Sequence, residues 1–259
     1  MDAPIIAAMG KLETLGVASS ADRQARIDLA AAFRLAVRMD LHEGVCNHFT
    51  LMLPDGKRFL LNAYGLHWSE VSASNLLALD QTGRVLQGEG EAEKTAFYIH
   101  SRIHLANPKA ACVLHTHMPY ATALTLTEPG RLEMVEQNAL RFADDIAYDD
   151  TYNGLVVDDA EGDRLARVLG TKRVMFLANH GVLVVGPSVA EAYDLMYYLE
   201  RACRLQVLAR ATGLPLRKVR PEVVRDTYRI ILADTPRYAA AHFSALKRIL
   251  DRDEPDYAR

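Results

Sequence analysis

Cysteine is scarce in this sequence, and the few cysteines present follow no pairing pattern. Cys46, Cys112 and Cys203 are odd in number, far apart and without CxxC spacing. This argues against a disulfide framework and against a cysteine zinc site, and it fits a reducing, cytoplasmic location. The first residues, MDAPIIAAMGKLET, also lack the basic start and the apolar core of a signal peptide.

Long apolar runs and long blocks of like charge are absent as well. No run approaches the roughly 20 residues that a membrane-spanning helix needs. Acidic and basic residues are interspersed and the formal net charge is −3, so nothing indicates binding to nucleic acid or to a membrane surface. We therefore expect a small-molecule or protein partner.

The length of the chain allows one large domain or two small ones, since it has 259 residues of which 50% are apolar. We find no internal repeat, no low-complexity stretch and no linker. These observations predict a single domain over residues 21–259, preceded by a loosely held N-terminal tail formed by residues 1–20.

Apolar spacing and turn residues predict a central, largely antiparallel sheet covered by helices. Apolar residues four positions apart predict a helix over residues 21–39. Pro54-Asp55-Gly56 predicts the turn of a β-hairpin between residues 49–53 and 59–61. The other predicted elements are a short helix and two strands within residues 71–87, helices over 92–106, 119–126 and 158–169, strands over 110–117, 174–178 and 182–185, and helices over 188–211, 222–233 and 237–252.

Two polar segments are predicted to lie outside the regular elements. Residues 144–154, DDIAYDDTYNG, are acidic and rich in turn-forming residues. Their carboxylates could bind a cation, but the ligand spacing of a known calcium loop is missing, so a solvated loop is the favoured interpretation. The last seven residues, DEPDYAR, are predicted to form a mobile polar tail.

Two apolar runs, AACVLHTH and VMFLANHG, carry the chemistry. Alternate side chains of a strand share a face, so His115 and His117 project together while Thr116 faces away. His180 ends the second run and completes a trio. Three neutral imidazoles suit Zn²⁺ and similar divalent ions, and three protein ligands leave one coordination position open for a substrate. The alternative is that these rings are surface or hydrogen-bonded core residues.

A second pair of histidines competes with this trio. His100 and His104 lie four apart on the predicted helix over residues 92–106 and share a face. Metal-binding helices use the same spacing. However, Phe97 and Ile103 supply this helix with packing residues, so we favour rings that cover the sheet or bond to backbone.

Several of these motifs carry a resemblance to a known family. They are Asn47-His48-Phe-Thr, Tyr64-Gly65-Leu66, the Ile99-His100 helix followed by Asn-Pro, the strand ending His115-Thr-His117, and Asn179-His180-Gly181. From about residue 21 to 211 the chain resembles the class II aldolase/adducin domain. The resemblance implies an α/β/α sandwich around a mostly antiparallel sheet, assembled as a homotetramer with active sites between subunits.

The resemblance also implies site residues and chemistry. In the aldolases the metal, typically zinc, sits on the histidines that match His115, His117 and His180. The metal chelates a substrate with oxygens on adjacent carbons and stabilises the enediolate left by carbon–carbon cleavage. By the same resemblance, substrate-binding positions fall at Asn47, His48 and Gly65; Mn²⁺ or Fe²⁺ are the alternatives to Zn²⁺.

This sequence departs from the aldolase pattern at the proton-transfer residue. The aldolases carry a glutamate four residues before the position of His100, and here that position is Ala96, which cannot move a proton. Glu93 is the nearest replacement acid or base and is our candidate catalytic residue. The alternative is a glutamate in the first turn, favoured there by the helix dipole.

The phosphate-binding loop of the aldolases is altered as well. Its Gly-Asn pair falls on Asn47-His48, its arginine on Met52, and its serines on Lys94-Thr95. Losing small residues and an arginine argues against recognition of a sugar phosphate.

Three functions follow from these observations. The first is a metal-dependent carbon–carbon lyase acting on a small oxo or hydroxy acid by aldol cleavage or decarboxylation. Decarboxylation tolerates Ala96, because loss of CO₂ needs no base. The second is a non-catalytic, adducin-like binding or assembly module. The third is an Fe(II)-dependent oxygenase, although the two-histidine, one-carboxylate pattern is missing.

Overall fold

The computed structural model describes residues 19–259, so nearly all of the predicted tail lies outside the described residues. Within them, eight strands form one sheet in the order β4-β3-β2-β1-β5-β8-β7-β6. Their bounds are β1 His48–Met52, β2 Arg58–Leu61, β3 Leu77–Asp80, β4 Val85–Gln87, β5 Cys112–Thr116, β6 Ile146–Asp149, β7 Val174–Leu177 and β8 Gly181–Gly186. Neighbouring strands are antiparallel except β6 and β7, which are parallel.

Helices cover both faces of this sheet. Their bounds are α1 Ser20–Arg38, α2 Lys94–Ala106, α3 Pro119–Thr125, α4 Asp159–Leu169, α5 Val189–Arg210 and α6 Pro221–Asp253, with 3₁₀ turns at Trp68–Glu70, Ala139–Phe142 and Pro255–Ala258. The paired helices α2 and α4 pack on one face; α1, α3 and α5 pack on the other, with α6 against α5. This confirms the α/β/α sandwich with its mostly antiparallel sheet. No helix within the described range is long and apolar enough to cross a bilayer.

The predicted hairpin is confirmed, and its turn explains its register. Asp55 Oδ1 accepts hydrogen bonds from the amides of Lys57 (2.8 Å) and Arg58 (3.0 Å), while Gly56 takes a φ of 65° that glycine tolerates best. The tight turn sets Thr50 of β1 opposite Leu61 of β2. The turn therefore fixes the register of β1 against β2.

Two helix predictions are wrong. Residues 73–75 form a turn instead of a short helix. The two predicted C-terminal helices are one helix, α6, with Pro236 inside it. Proline removes one backbone hydrogen bond, but the helix continues because the turns beyond Pro236 bury Phe243 against Tyr193 of α5.

The solvated-loop interpretation of residues 144–154 is wrong for its central part. Residues 146–149 form β6, and two carboxylates are buried there: Asp145, which precedes the strand, and Asp149, its last residue. Arg164 forms a bidentate pair with Asp149 (2.8 and 2.6 Å), and Arg173 pairs with Asp145. Arginines more distant in sequence thus neutralise the buried acids, which a local reading of charge could not anticipate.

The predicted mobile C-terminal tail is also wrong. Tyr257 is 1% exposed, and its carbonyl accepts the amide of Ala73 (2.8 Å). The preceding carboxylates bind the buried Arg34 of α1: Glu254 at 3.2 Å and Asp256 at 2.8 Å. The chain end is therefore part of the core under α1.

Truncating Tyr257 is expected to destabilise the fold. Tyr257→Ala removes a buried ring and should lower the free energy of unfolding by about 3 kcal/mol or more. Tyr257→Phe removes only the hydroxyl that donates to Asp251 (2.8 Å) and should cost about 1 kcal/mol. Urea denaturation with an unchanged m-value measures both. Equal and small losses for the two variants would show that the chain end is not docked.

Candidate metal centre

The sheet brings the three predicted histidines together. His115 lies in β5, His117 follows that strand, and His180 directly precedes β8, which is antiparallel to β5. Gly181 permits the close approach of the two strand ends, because a Cβ there would lie 2.6 Å from the carbonyl oxygen of Thr116 and 2.7 Å from His117 Cδ2. Glycine after His180 is therefore required by the packing of this site.

The geometry of the trio suits a single cation. One ligand atom from each of His115, His117 and His180 lies within 4.8 Å of the others, and the ring centroids are 4.8 to 5.1 Å apart. The Nδ1–H of His115 donates to the Val182 carbonyl (3.0 Å), which leaves the Nε2 lone pair for a metal. His117 Nε2 is buried without a hydrogen-bond partner, as expected of a nitrogen whose natural partner is an ion.

The protonation state of the trio fits the same chemistry. Burial lowers the pKa of His115 well below its ordinary value, lowers that of His117, and brings that of His180 to about 4. Neutral imidazole is the form that binds a divalent ion, so all three rings are ready as ligands near neutral pH.

Two of the three predicted substrate-binding residues lie beside the trio. Asn47 Oδ1 accepts the amide of His117 (3.1 Å), while Asn47 Nδ2 is buried without a partner. His48 pairs with His115 across β1 and β5, and their ring centroids are 5.0 Å apart. Gly65 lies in an open turn with a φ of 86°, and none of its described contacts involves the histidines; its role stays a prediction.

Glu93, the candidate catalytic residue, is the N-cap of α2. Its carboxylate accepts hydrogen bonds from the Ala96 amide (2.7 Å) and the Thr95 hydroxyl (2.5 Å). Burial raises the pKa of Glu93, but the hydrogen bonds from Thr95 and Ala96 outweigh burial and lower it. Glu93 is therefore an ionised helix cap, and its catalytic role stays a prediction.

The competing pair, His100 and His104, belongs to a hydrogen-bonded chain. Thr50 Oγ1 lies 2.7 Å from His100 Nδ1 and 2.8 Å from His104 Nε2, and His100 Nε2 lies 2.8 Å from His48 Nδ1. The expected bond to backbone is found for His104, whose Nδ1 lies 2.7 Å from the carbonyl oxygen of Ala110, whereas His100 bonds to side chains. Thr50 was missed, although its spacing of two from His48 on a strand places both side chains on one face.

Comparisons with known proteins agree with this fold. The chain belongs to the class II aldolase and adducin N-terminal domain family, whose model matches residues 27–207. A Caulobacter vibrioides protein named "Putative aldolase class 2 protein" is 33% identical over 96% of this chain and 98% of its own. An adducin-related protein of Schizosaccharomyces pombe is 33% identical over 90% of this chain and 75% of its own. The crystal structure of an aldolase II superfamily protein from Pseudomonas syringae is 34% identical, with a TM-score of 0.87 over 93% of this chain and 97% of that one.

Proposed function

We propose that this chain is a metal-dependent lyase that breaks a carbon–carbon bond of a small hydroxy or oxo acid. The observation that carries the proposal is the convergence of three neutral imidazoles within 4.8 Å. A divalent ion held there, Zn²⁺ in the first place, would supply Lewis-acid stabilisation of the negative charge left by bond cleavage. The family relatives support an aldolase-like activity without specifying the substrate.

The trio and the residues around it have separate roles in binding the metal, binding the substrate and transferring a proton. His115, His117 and His180 hold the ion and leave one position for substrate oxygen. The unpaired Nδ2 of Asn47 is a donor for a substrate carbonyl or carboxylate oxygen. Glu93, kept ionised by its two hydrogen bonds, can accept a proton but is poorly suited to donate one.

The residues at the positions of the aldolase phosphate-binding loop support a substrate without phosphate. The position of the aldolase arginine is Met52, which packs against the apolar cluster around Phe59. His48, which falls on the asparagine of the aldolase Gly-Asn pair, is buried and bonded to His100. No described side chain thus supplies the bidentate guanidinium that phosphate recognition favours at these positions. Because Ala96 replaces the acid, decarboxylation is the favoured reaction, since loss of CO₂ needs no base at this position.

The test is a substrate and metal screen. The protein, purified without added metal, is expected to contain close to one equivalent of a divalent ion per chain, measured by mass spectrometry. Loaded with Zn²⁺, Mn²⁺ or Fe²⁺, it should turn over 2-oxo acids or aromatic hydroxy acids and leave sugar phosphates untouched. Turnover confined to sugar phosphates would contradict the proposal.

A non-catalytic assembly module is the second candidate function. Ala96 at the proton-transfer position and the similarity to an adducin-related protein favour it, whereas a scaffold has no need of an open three-histidine site. Substoichiometric, unselective metal content without turnover would favour this module. An Fe(II) oxygenase receives no such support, because the described cluster contains three histidines and no carboxylate.

We propose further that the protein is a cytoplasmic homotetramer whose active sites lie near subunit interfaces. Large apolar side chains are exposed on a segment close to the trio: Tyr152, Leu155 and Val157. The ring of Tyr152 lies 6.3 Å from that of His180. Contiguous exposed apolar side chains are typical of an interaction surface, and a second copy is the partner the family suggests.

A further inference from the structure

A chain of four hydrogen bonds leads away from the metal centre through the interior. His48 Nδ1 lies 2.8 Å from His100 Nε2, and His100 Nδ1 lies 2.7 Å from the hydroxyl of Thr50. The same hydroxyl lies 2.8 Å from His104 Nε2, and His104 Nδ1 lies 2.7 Å from the carbonyl oxygen of Ala110. All five residues are buried, so water does not compete for these bonds.

The far end of the chain fixes the direction of every bond. The Ala110 carbonyl can only accept, so His104 must carry its proton on Nδ1. The Nε2 of a neutral His104 then accepts, so the Thr50 hydroxyl donates to it. The oxygen of Thr50 in turn accepts from the Nδ1–H of His100. The Nε2 of His100 is then a lone pair, and His48 must donate its Nδ1–H to it.

This assignment is unique while the inner rings are neutral. Burial lowers the pKa of His104 to about 4 and that of His100 well below its ordinary value, so neither ring carries a second proton near neutral pH. Reversing the chain would require a backbone carbonyl to donate. One buried hydroxyl and one carbonyl therefore determine the tautomer of a ring at the other end of the chain.

The imidazole of His48 lies next to the metal ligands and has one free ring nitrogen. His48 is 5% exposed, and its Nε2 has no hydrogen-bond partner among the described residues. Nε2 keeps some contact with solvent, unlike fully buried and unpaired nitrogens such as His117 Nε2. It is therefore the accessible edge of a buried ring. His48 pairs with His115 across β1 and β5 and their ring centroids are 5.0 Å apart, so the ring of His48 lies beside the trio.

We propose that the hydrogen-bond chain holds His48 as the Nδ1–H tautomer, so that its Nε2 accepts a hydrogen bond from a hydroxyl group of the substrate. This inference rests on the proposed function and narrows it, because it selects acids with a hydroxyl group beside the metal-bound oxygen. A fixed acceptor rejects an analogue whose oxygen carries no proton. Thr50, His100 and His104 are then positioning residues.

The tautomer itself can be measured without metal or substrate. Nitrogen-15 NMR of histidine-labelled protein distinguishes the two forms, and the His48→Asn spectrum assigns the signals of His48. The wild-type protein and Thr50→Ser, which keeps the hydroxyl, should both show Nδ1–H. Thr50→Val, with nearly the same shape, releases His100 and should populate the Nε2–H form of His48.

Two results would overturn the proposal. One is a His48 that carries its proton on Nε2 in the wild-type protein; the other is a folded Thr50→Val variant with the wild-type tautomer. Circular dichroism and thermal unfolding establish that the variant is folded. Should Thr50→Val not fold, the wild-type and Thr50→Ser spectra decide the question alone.

Ligand binding tests the selectivity, with glycolate and methoxyacetate as probes. Both can chelate a metal, but only glycolate has the hydroxyl proton. Calorimetry on the Zn²⁺-loaded protein should show about tenfold tighter binding of glycolate, with the preference reduced in Thr50→Val and kept in Thr50→Ser. Equal affinities in the wild-type protein would refute the hydroxyl contact. If the protein binds glycolate more tightly than methoxyacetate but turns over no acid, this inference is supported and the lyase proposal fails.

Discussion

Replacing His117 with alanine is expected to abolish metal binding while the fold persists. His117 follows β5 and is only partly buried, so its loss removes little packing. It does remove one of three ligands, and we expect the affinity for Zn²⁺ to fall by more than about 100-fold. Because the ion would stabilise the charge formed by bond cleavage, turnover should fall on the order of 1000-fold, or about 4 kcal/mol.

Metal content by mass spectrometry and calorimetric titration with Zn²⁺ measure this effect. His242→Gln is the matched control, since His242 bonds to Asp194 between α5 and α6 and does not belong to the trio. It should keep the wild-type metal content. A His117→Ala protein that still binds one equivalent of Zn²⁺ tightly would mean that the trio is not the metal site.

Adding a single methyl group at Gly181 is expected to damage the same site without removing a ligand. The new Cβ would meet the Thr116 carbonyl oxygen at 2.6 Å and His117 Cδ2 at 2.7 Å, and the first of these is backbone. The strands must separate or the His117 ring must move. We expect Gly181→Ala to lower the free energy of unfolding by about 1–3 kcal/mol and the Zn²⁺ affinity by about 10- to 100-fold.

Val182→Ala is the matched control for this variant. Val182 is the next residue and is buried, so its truncation should destabilise the fold by about 1–3 kcal/mol. It introduces no atom near His117, and the affinity for Zn²⁺ should stay within about twofold of the wild-type value. Equal metal affinity in Gly181→Ala and Val182→Ala would show that the glycine is not needed to seat His117.

The sequence predicted the parts of the site that depend on local periodicity. The alternation of a strand was enough to place His115 and His117 on one face. The approach of His180 depends on a sharp reversal between β7 and β8, in which Asn179 adopts a φ of 58°. Asparagine and the following glycine gave a hint of that reversal, and the family resemblance supplied the rest.

The features that the sequence did not predict depend on contacts between distant residues. Asp149 looked like part of a solvated loop because its partner, Arg164, lies 15 positions further along. Thr50 looked like an ordinary strand residue until α2 placed two rings against it. Local propensity contains no information about such partners, and buried charges and hydroxyls are where it fails most.

The docking of residues 254–257 under α1 sets the earliest time at which this domain can finish folding during synthesis. Arg34 and Asp256 are 222 positions apart, so the ribosome delivers the carboxylate long after it has delivered α1. Until then the guanidinium of Arg34, which is buried in the folded protein, has no carboxylate partner, and the space that Tyr257 fills is empty. The first helix of the described residues, α1, therefore cannot close against the rest of the molecule until residues 254–257 have been synthesised.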